Sequence, residues 1–396
     1  MRSYQGVGVF VASGMLAIRG NFTLHYEESG KYSMNLVPDD QILALQYANL
    51  PLVMGRFTGN STNPVFEIEI EALYLNHISM GSRREGSLNL EFSFQIFSPI
   101  RVSYIPNDPV DVVEFKRGIA NLLFWGTEVV QRDNHRVLAK ITWHLAGNDV
   151  VLEQLPSYET ISHHLAEYKD VAVTCELKMV GNYNQLAAFD QTAENLQTLL
   201  SLASANFITA IYEDIYFNGQ ISVSTLFPLK TYLFSDRQSL IDNRIGNELK
   251  DFVNTTYQSY VNLKDNLGLP YFIEFFTTSK MYSPLEVEYI LSATAFECLE
   301  DYFRRWQHLR EIKLDLKGKI ARMCSYFGFT VTDSVLEPYR VSRNSLSHTG
   351  KFPAGSNNVA LTMTLRNLID RFILIILGYR NKRYYNALIG DWDTVP

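Results

Sequence analysis

An arginine and a histidine five residues apart, Arg343 and His348, stand in the run Arg-Asn-Ser-Leu-Ser-His. A guanidinium grips a phosphate through two parallel hydrogen bonds and neutralises charge that grows in a transition state. An imidazole, with a reference pKa of about 6.5, moves protons near neutral pH. Together they suit chemistry at a phosphate. Spacing alone carries little weight, since with 21 Arg and 8 His roughly one such Arg-to-His match arises by chance. Arg19 and His25 are a second match, in a stretch that reads as a β-strand, and are taken as coincidence.

The elements around Arg343 and His348 give the pair its interest. From residue 283 the pattern is helical. Ser283-Pro284 suits an N-cap and first turn. Tyr289, Ala293, Phe296, Leu299, Phe303 and Trp306 then recur at helical spacing and predict a core-facing stripe, with Cys298 read as part of that core. A second helix is expected over Leu316 to Tyr326, stopping near Gly328. A third covers Leu336 to Ser347 and ends before Gly350. A fourth runs from after Asn357 to Leu377, with Gly378 as its cap. Four such helices in this length make an up-and-down bundle. Arg343 and His348 close its third helix. On an ideal helix they stand roughly 140° and about 7.5 Å apart, so Arg343 must reach across or the helix must end before His348; Thr349-Gly350 favours the second option.

Further upstream the periodicity is two. In the run from Leu88 to Phe97, Leu88, Leu90, Phe92, Phe94 and Ile96 share one face and Asn89, Glu91, Ser93 and Gln95 the other, as in a half-buried antiparallel sheet. Further strands are expected over Phe66 to Tyr74, Arg101 to Ile105, Val137 to His144, Asp149 to Leu155 and Val171 to Val180. A helix is expected over Ala193 to Asn206, a hairpin over Ile211 to Phe227 with Asn218-Gly219 at its turn, and a helix over Gly246 to Asn266. The fold class is therefore α+β: a β-rich, sandwich-like or curled-barrel region over 1–190, a mixed bridging region over 191–280, and an all-α bundle over 281–396.

The run Tyr339-Arg-Val-Ser-Arg-Asn-Ser-Leu-Ser-His-Thr-Gly350, at the end of a third bundle helix and with a polar Asn after the Arg, resembles the HEPN superfamily (higher eukaryotes and prokaryotes nucleotide-binding). The resemblance covers about residues 283–390. The whole layout, a long β-rich part before this domain, is similar to the ApeA-type HEPN proteins of bacterial anti-phage defence. It implies metal-independent RNA cleavage, in which a ribose 2′-OH attacks the adjacent phosphate and leaves a 2′,3′-cyclic phosphate. Arg343 and His348 would be catalytic, no cofactor or metal would be needed, and two chains would pair so that both motifs face one cleft. The β-rich part would sense a phage-derived protein trigger. Supporting candidates are Asn344, which could orient the phosphate or His348, Arg340, three residues before Arg343, and Glu297, where HEPN proteins often carry a polar residue near the cleft. The run Arg380-Asn-Lys-Arg-Tyr-Tyr, read as a solvated helix end, offers Arg380, Lys382, Arg383 and Tyr384 to RNA.

Each feature also has a plainer reading. Arg343 could be salt-bridged to a neighbouring helix, and His348 could sit at a helix C-terminal dipole. The bundle would then be a dimerisation or nucleotide-binding adaptor, with a protein-binding β region. His163-His164 would point apart on a strand and lack companions for a metal. The chain has no Gly-x(4)-Gly-Lys-Ser/Thr run and no Gly-x-Ser-x-Gly run, so neither a P-loop nor a hydrolase elbow is supported.

Composition sets the outer bounds. Across 396 residues, 46% hydrophobic and 19% charged, a folded chain of two or three units is expected. The net charge of −7 argues against a protein that coats nucleic acid. It is uneven: residues 281–396 carry 15 Lys+Arg and 12 Asp+Glu, a net of +3, leaving 20 and 30, a net of −10, for the rest. A polyanion would favour the C-terminal part. Cys175, Cys298 and Cys324 show no paired spacing, the N-terminus lacks a signal-peptide core, and Phe372 to Leu377 is too short to span a bilayer. A cytoplasmic protein without membrane partners is expected.

Overall fold

In the strand Ile18–Tyr26, the side chains of Ile18, Phe22, Leu24 and Tyr26 are buried with Gly20, while Arg19, Asn21, Thr23 and His25 are exposed. This two-residue alternation gives a sheet one apolar face, which must be covered. In the computed structural model, which describes all residues except 28, 49, 51–52, 63–64, 83–87, 105–111, 133–134, 229–233, 235–237, 282–283 and 310–313, the sheet covers that face by closing on itself. Six antiparallel strands, β1 (Arg2–Ala12), β2 (Ile18–Tyr26), β3 (Tyr32–Pro38), β4 (Val53–Thr62), β5 (Val65–Ser82) and β6 (Leu88–Ile96), run in the order β4-β1-β2-β3-β6-β5, and β4 pairs with β5 to complete a barrel. Of the two architectures that the strand pattern allows, the sandwich and the curled barrel, the region forms the barrel. Closure leaves no edge among these six strands, which two stacked sheets would not achieve. Helix α1 (Gln41–Ala48) joins β3 to β4.

The barrel interior is aromatic and narrow. Phe10, Phe22, Phe57, Phe92 and Tyr47 are all buried there. Where rings cross a neighbouring strand, only glycine fits: a Cβ on Gly8 would stand 2.1 Å from the Phe57 ring. Arg19 and His25, the coincidental pair, both point outward from β2.

The sheet continues beyond the barrel. It adds β7 (Ile100–Tyr104), β8 (Val113–Ala120), β9 (Glu128–Arg132), β10 (His135–Leu145) and β11 (Asn148–Gln154), then, after helix α2 (Tyr158–Tyr168), β12 (Val173–Gly181). Helix α3 (Leu186–Ser204) leads to the hairpin β13 (Thr209–Phe217) and β14 (Gln220–Leu226). The order from the barrel outward is β5-β7-β14-β13-β8-β12-β11-β10-β9. At the hairpin turn Asn218 and Gly219 have φ of 48° and 77°, the paired left-handed residues that a two-residue loop requires. His163 and His164 lie on α2, not on a strand. Ile105, the expected end of β7, lies outside the described residues.

Six further helices follow: α4 (Gly246–Leu267), α5 (Leu269–Ser279), α6 (Leu285–Trp306), α7 (Leu316–Tyr326), α8 (Asp333–Thr349) and α9 (Asn358–Ile376). A small hairpin, β15 (Arg383–Asn386) and β16 (Asp391–Thr394), comes last, where a solvated helix end was expected. The chain is α+β overall. Helices α6 to α9 are the four expected from periodicity, and α5 is an addition. Ser283 lies outside the described residues; Pro284 is itself the cap residue, and the helix starts at Leu285. Cys298 is exposed and not in the core. It lies two residues from the buried Phe296, about 200° around the helix.

One core cluster runs from Phe115 on β8 to Val395, through α3, α4 and the later helices. The second core fills the barrel and reaches Ala120, Val173, Ile211 and Leu226 on the adjoining strands. Trp143 on β10 donates its indole N–H to the Lys250 carbonyl on α4 at 3.1 Å, and the backbone N–H of Tyr385 donates to the Leu240 carbonyl at 2.8 Å. Sheet and helices therefore hold one another directly. Among the described residues, no helix is long and apolar enough to cross a membrane.

Candidate active site at the end of helix α8

Arg343 and His348 are both on α8, which continues through His348 to Thr349 and is capped by Gly350 at φ 70°. The Gly350 N–H closes the last turn on the Leu346 carbonyl at 2.9 Å. The helix does not end before the histidine, so the two side chains leave the axis roughly 140° apart. Each is accessible: His348 is exposed, and the Arg343 side chain is 32% exposed.

Arg343 faces α6. Its Nε and Nη2 donate to Oε1 and Oε2 of Glu297 at 2.7 and 2.8 Å, a bidentate pair between neighbouring helices. Glu297 is 24% exposed, so the pair is half shielded from water. The carboxylate raises the Arg343 pKa further above its usual value, and the guanidinium stays charged throughout the accessible pH range. The plain reading of Arg343 as a salt-bridged residue is therefore met in the free chain. It does not consume the group. A guanidinium has five N–H donors in a fork, and Glu297 takes two, which leaves the Nη1 side to accept a second bidentate anion.

Tyr339, one turn before Arg343, completes the cluster. Its hydroxyl lies 3.4 Å from Glu297 Oε1, and burial pushes its pKa well above the usual phenol value. The Tyr289 hydroxyl lies 3.4 Å from the Tyr339 carbonyl. Motif reading passed over Tyr339, although its i,i+4 spacing to Arg343 places the two on one face. Asn344 is half-exposed next to Arg343. The end of the helix is tied locally, by Ser345 Oγ donating to the Lys351 carbonyl and Thr349 Oγ1 to the Ser345 carbonyl, each at 2.8 Å.

The remaining candidates lie apart from this cluster. Arg340 is turned to Glu337, with Nε at 3.2 Å, in a surface network that also contains Lys317 and Asp333. Arg380 donates to the Phe327 carbonyl at 2.8 Å. Lys382 pairs with Asp251 and Arg383 with Glu248, both on α4, and Arg383 also lies over the Trp392 ring. Tyr384 is 0% exposed and donates to Asn367 at 2.9 Å, so its ring cannot stack on a base. The basic run is thus a hairpin anchored to α4, and Tyr384 is part of the core.

Among the described residues, no group of three or more His, Cys, Asp or Glu side chains could hold a metal ion. Compared with family models, with curated proteins and with solved structures, the chain finds no match.

Proposed function

We propose that the chain is a metal-independent endoribonuclease of the HEPN kind, acting as a homodimer. The observation that carries this reading is the Arg343–Glu297 pair: a charged guanidinium, held in a fixed orientation, keeps one edge free, on a helix that also presents an exposed histidine. The substrate phosphate would dock on the Nη1 side of Arg343. The ribose 2′-oxygen attacks phosphorus, the bond from phosphorus to the 5′-oxygen breaks, and a 2′,3′-cyclic phosphate and a 5′-hydroxyl result. The 2′-OH proton is removed and the leaving 5′-oxygen is protonated, and His348 is suited to this transfer. Because one helix presents the two side chains on different sides, a second copy of α8 facing the first would bring an arginine and a histidine into one cleft. In this reading the enzyme is cytoplasmic and serves anti-phage defence, with the β-rich part as the sensor of a phage-derived protein.

Purified protein incubated with RNA in the presence of EDTA should leave cyclic-phosphate ends. Absence of cleavage with and without phage lysate, or its loss on chelation, overturns the proposal.

The adaptor reading has one observation in its favour, the neutralisation of Arg343 by Glu297 in the free chain. It requires that Arg343→Ala and His348→Ala leave phage protection intact in a plaque assay.

A further inference from the structure

The β8–β9 connection carries an exposed tryptophan. Trp125 is 60% exposed, whereas Trp143 is 1% exposed and Trp306 and Trp392 are half-buried. An indole offers a large apolar face, and leaving it in water forgoes the gain from burying it. Trp125 stands at a cleft of about 430 Å³, which falls within the about 300–1,000 Å³ typical of small-ligand sites. Four segments build the cleft: the β8–β9 connection, α2, the end of α3 and the chain entering α4.

We propose that this cleft binds a nucleotide, with the base stacked on Trp125 and the phosphate held by Arg244. Three features select that class. The lining beside the indole is rich in amides and hydroxyls, among them the half-buried Gln238 and Ser239, and Ser162. Amide side chains donate and accept at once, as the edge of a base requires. Arg244 is the sole charged residue among the described residues lining the cleft. Its side chain is 71% exposed, and among the described residues its guanidinium is engaged through Nε, by Asp242 Oδ1 at 3.3 Å, so its Nη groups can take an anion. Among the described residues the lining holds no carboxylate, which disfavours a cation and suits a ligand that joins a flat face to one anionic group.

The walls are preorganised. Phe124 donates its N–H to the Tyr158 hydroxyl at 2.7 Å, and its carbonyl accepts from that hydroxyl at 2.9 Å and from Gln154 Nε2 at 2.6 Å. Asn243 donates to the Leu123 carbonyl and accepts from the Trp125 N–H, both at 2.8 Å. A rigid site loses little entropy on binding. The cleft shares no residue with the cluster on α8, so this inference and the proposed cleavage stand or fall separately.

The test is tryptophan fluorescence of the full chain titrated with AMP, GMP, CMP and UMP, with adenosine and a 5′-phosphorylated tetranucleotide as further arms. At least one mononucleotide should quench saturably below about 1 mM. Trp125→Ala should abolish that quench, and Arg244→Gln should weaken AMP about tenfold or more while leaving adenosine unchanged. Binding of the tetranucleotide alone, lost in the same variants, identifies a strand end as the source of the nucleotide and supports the proposal. No saturable quench by any of these ligands, or a quench that persists in Trp125→Ala, overturns it.

Discussion

Glu297 on α6 holds Arg343 on α8 through two parallel hydrogen bonds of 2.7 and 2.8 Å, across 46 residues of sequence. The pair fixes which edge of the guanidinium faces outward. Glu297→Gln retains the shape but removes one acceptor and the charge, so Arg343 loses its fixed direction. Cleavage should fall about 10- to 100-fold, chiefly in kcat, because small displacements of a positioned group are costly. Stability should change by only about 1 kcal/mol, since the pair is partly solvated. Glu297→Asp keeps the charge with a shorter reach and should recover part of the rate. Equal loss in KM and none in kcat would show that Glu297 has no positioning role.

His348 is exposed in the last turn of α8. His348→Ala should eliminate cyclic-phosphate products while the urea midpoint moves by no more than the equivalent of about 0.5 kcal/mol. Mixing Arg343→Ala protein with His348→Ala protein gives a sharper outcome. If two copies share a cleft, heterodimers can unite one intact arginine with one intact histidine, and activity should partly return on mixing. A mixture as inactive as its components would exclude complementation between chains.

Much of the local structure was legible, because local rules suffice for it. Gly246 and Gly268 bound α4, Asn218-Gly219 dictates a tight hairpin, and Gly350 ends α8. Other features were not, among them the closure of the barrel, helix α5 and the start of α8. The barrel closes through β4 pairing with β5 in a register such as Phe57↔Ile70, and alternation within a strand cannot say whether its sheet stays open. Helix α5 was missed because Leu269–Ser279 is apolar on most sides and directly follows a glycine that reads as a stop. The start of α8 lies at Asp333, three residues before the Leu336 that the apolar pattern marks, and the helix runs through Pro338. At the candidate site the motif named Arg343 and His348 and the family resemblance added Glu297, but nothing in the spacing shows that Glu297 would take two of the Arg343 donors.

The three cysteines should separate cleanly by reactivity. Cys175 and Cys324 are buried, and burial pushes each thiol up to about 12, while Cys298 is exposed. Thiolate is the reactive form, so iodoacetamide at pH 8 should label Cys298 first and leave the other two intact until the protein unfolds. The buried thiols also set a pH dependence. Their folded pKa lies above the ordinary thiol value of 9.0, so their contribution to stability is complete below pH 9 and is lost as pH rises toward 12. Peptide mapping by mass spectrometry decides the labelling order, and early labelling of Cys175 would contradict the packing of β12.

Gly8 tests the barrel. A methyl group there would meet the Phe57 ring, itself fixed between Phe22 and the neighbouring strands. Gly8→Ala should destabilise by about 1–3 kcal/mol through overpacking. The additional change Phe57→Leu should recover part of that loss by making room, a non-additivity that chemical denaturation can measure. Simple additivity would mean that the two residues are not in contact.

The last prediction concerns the junction of α5, α6 and α9. Lys280, just after α5, donates to Asp370 on α9 at 2.7 Å, and both side chains are only 2% exposed. Arg366 lies 3.8 Å from the same carboxylate, and the Lys280 ammonium lies 4.1 Å from the centre of the Phe276 ring. Burial of an ion pair costs desolvation that its attraction only partly offsets, but removing one member strands the other. Lys280→Met should therefore cost about 3–5 kcal/mol, because Asp370 keeps only the longer contact to Arg366. Lys280→Met combined with Asp370→Leu removes both charges, yet it leaves Arg366 without its acid, so the double variant should recover some of the loss but not all of it. Full recovery in the double variant would show that Arg366 does not depend on Asp370, and a loss in Lys280→Met below about 1 kcal/mol would show that water reaches this junction.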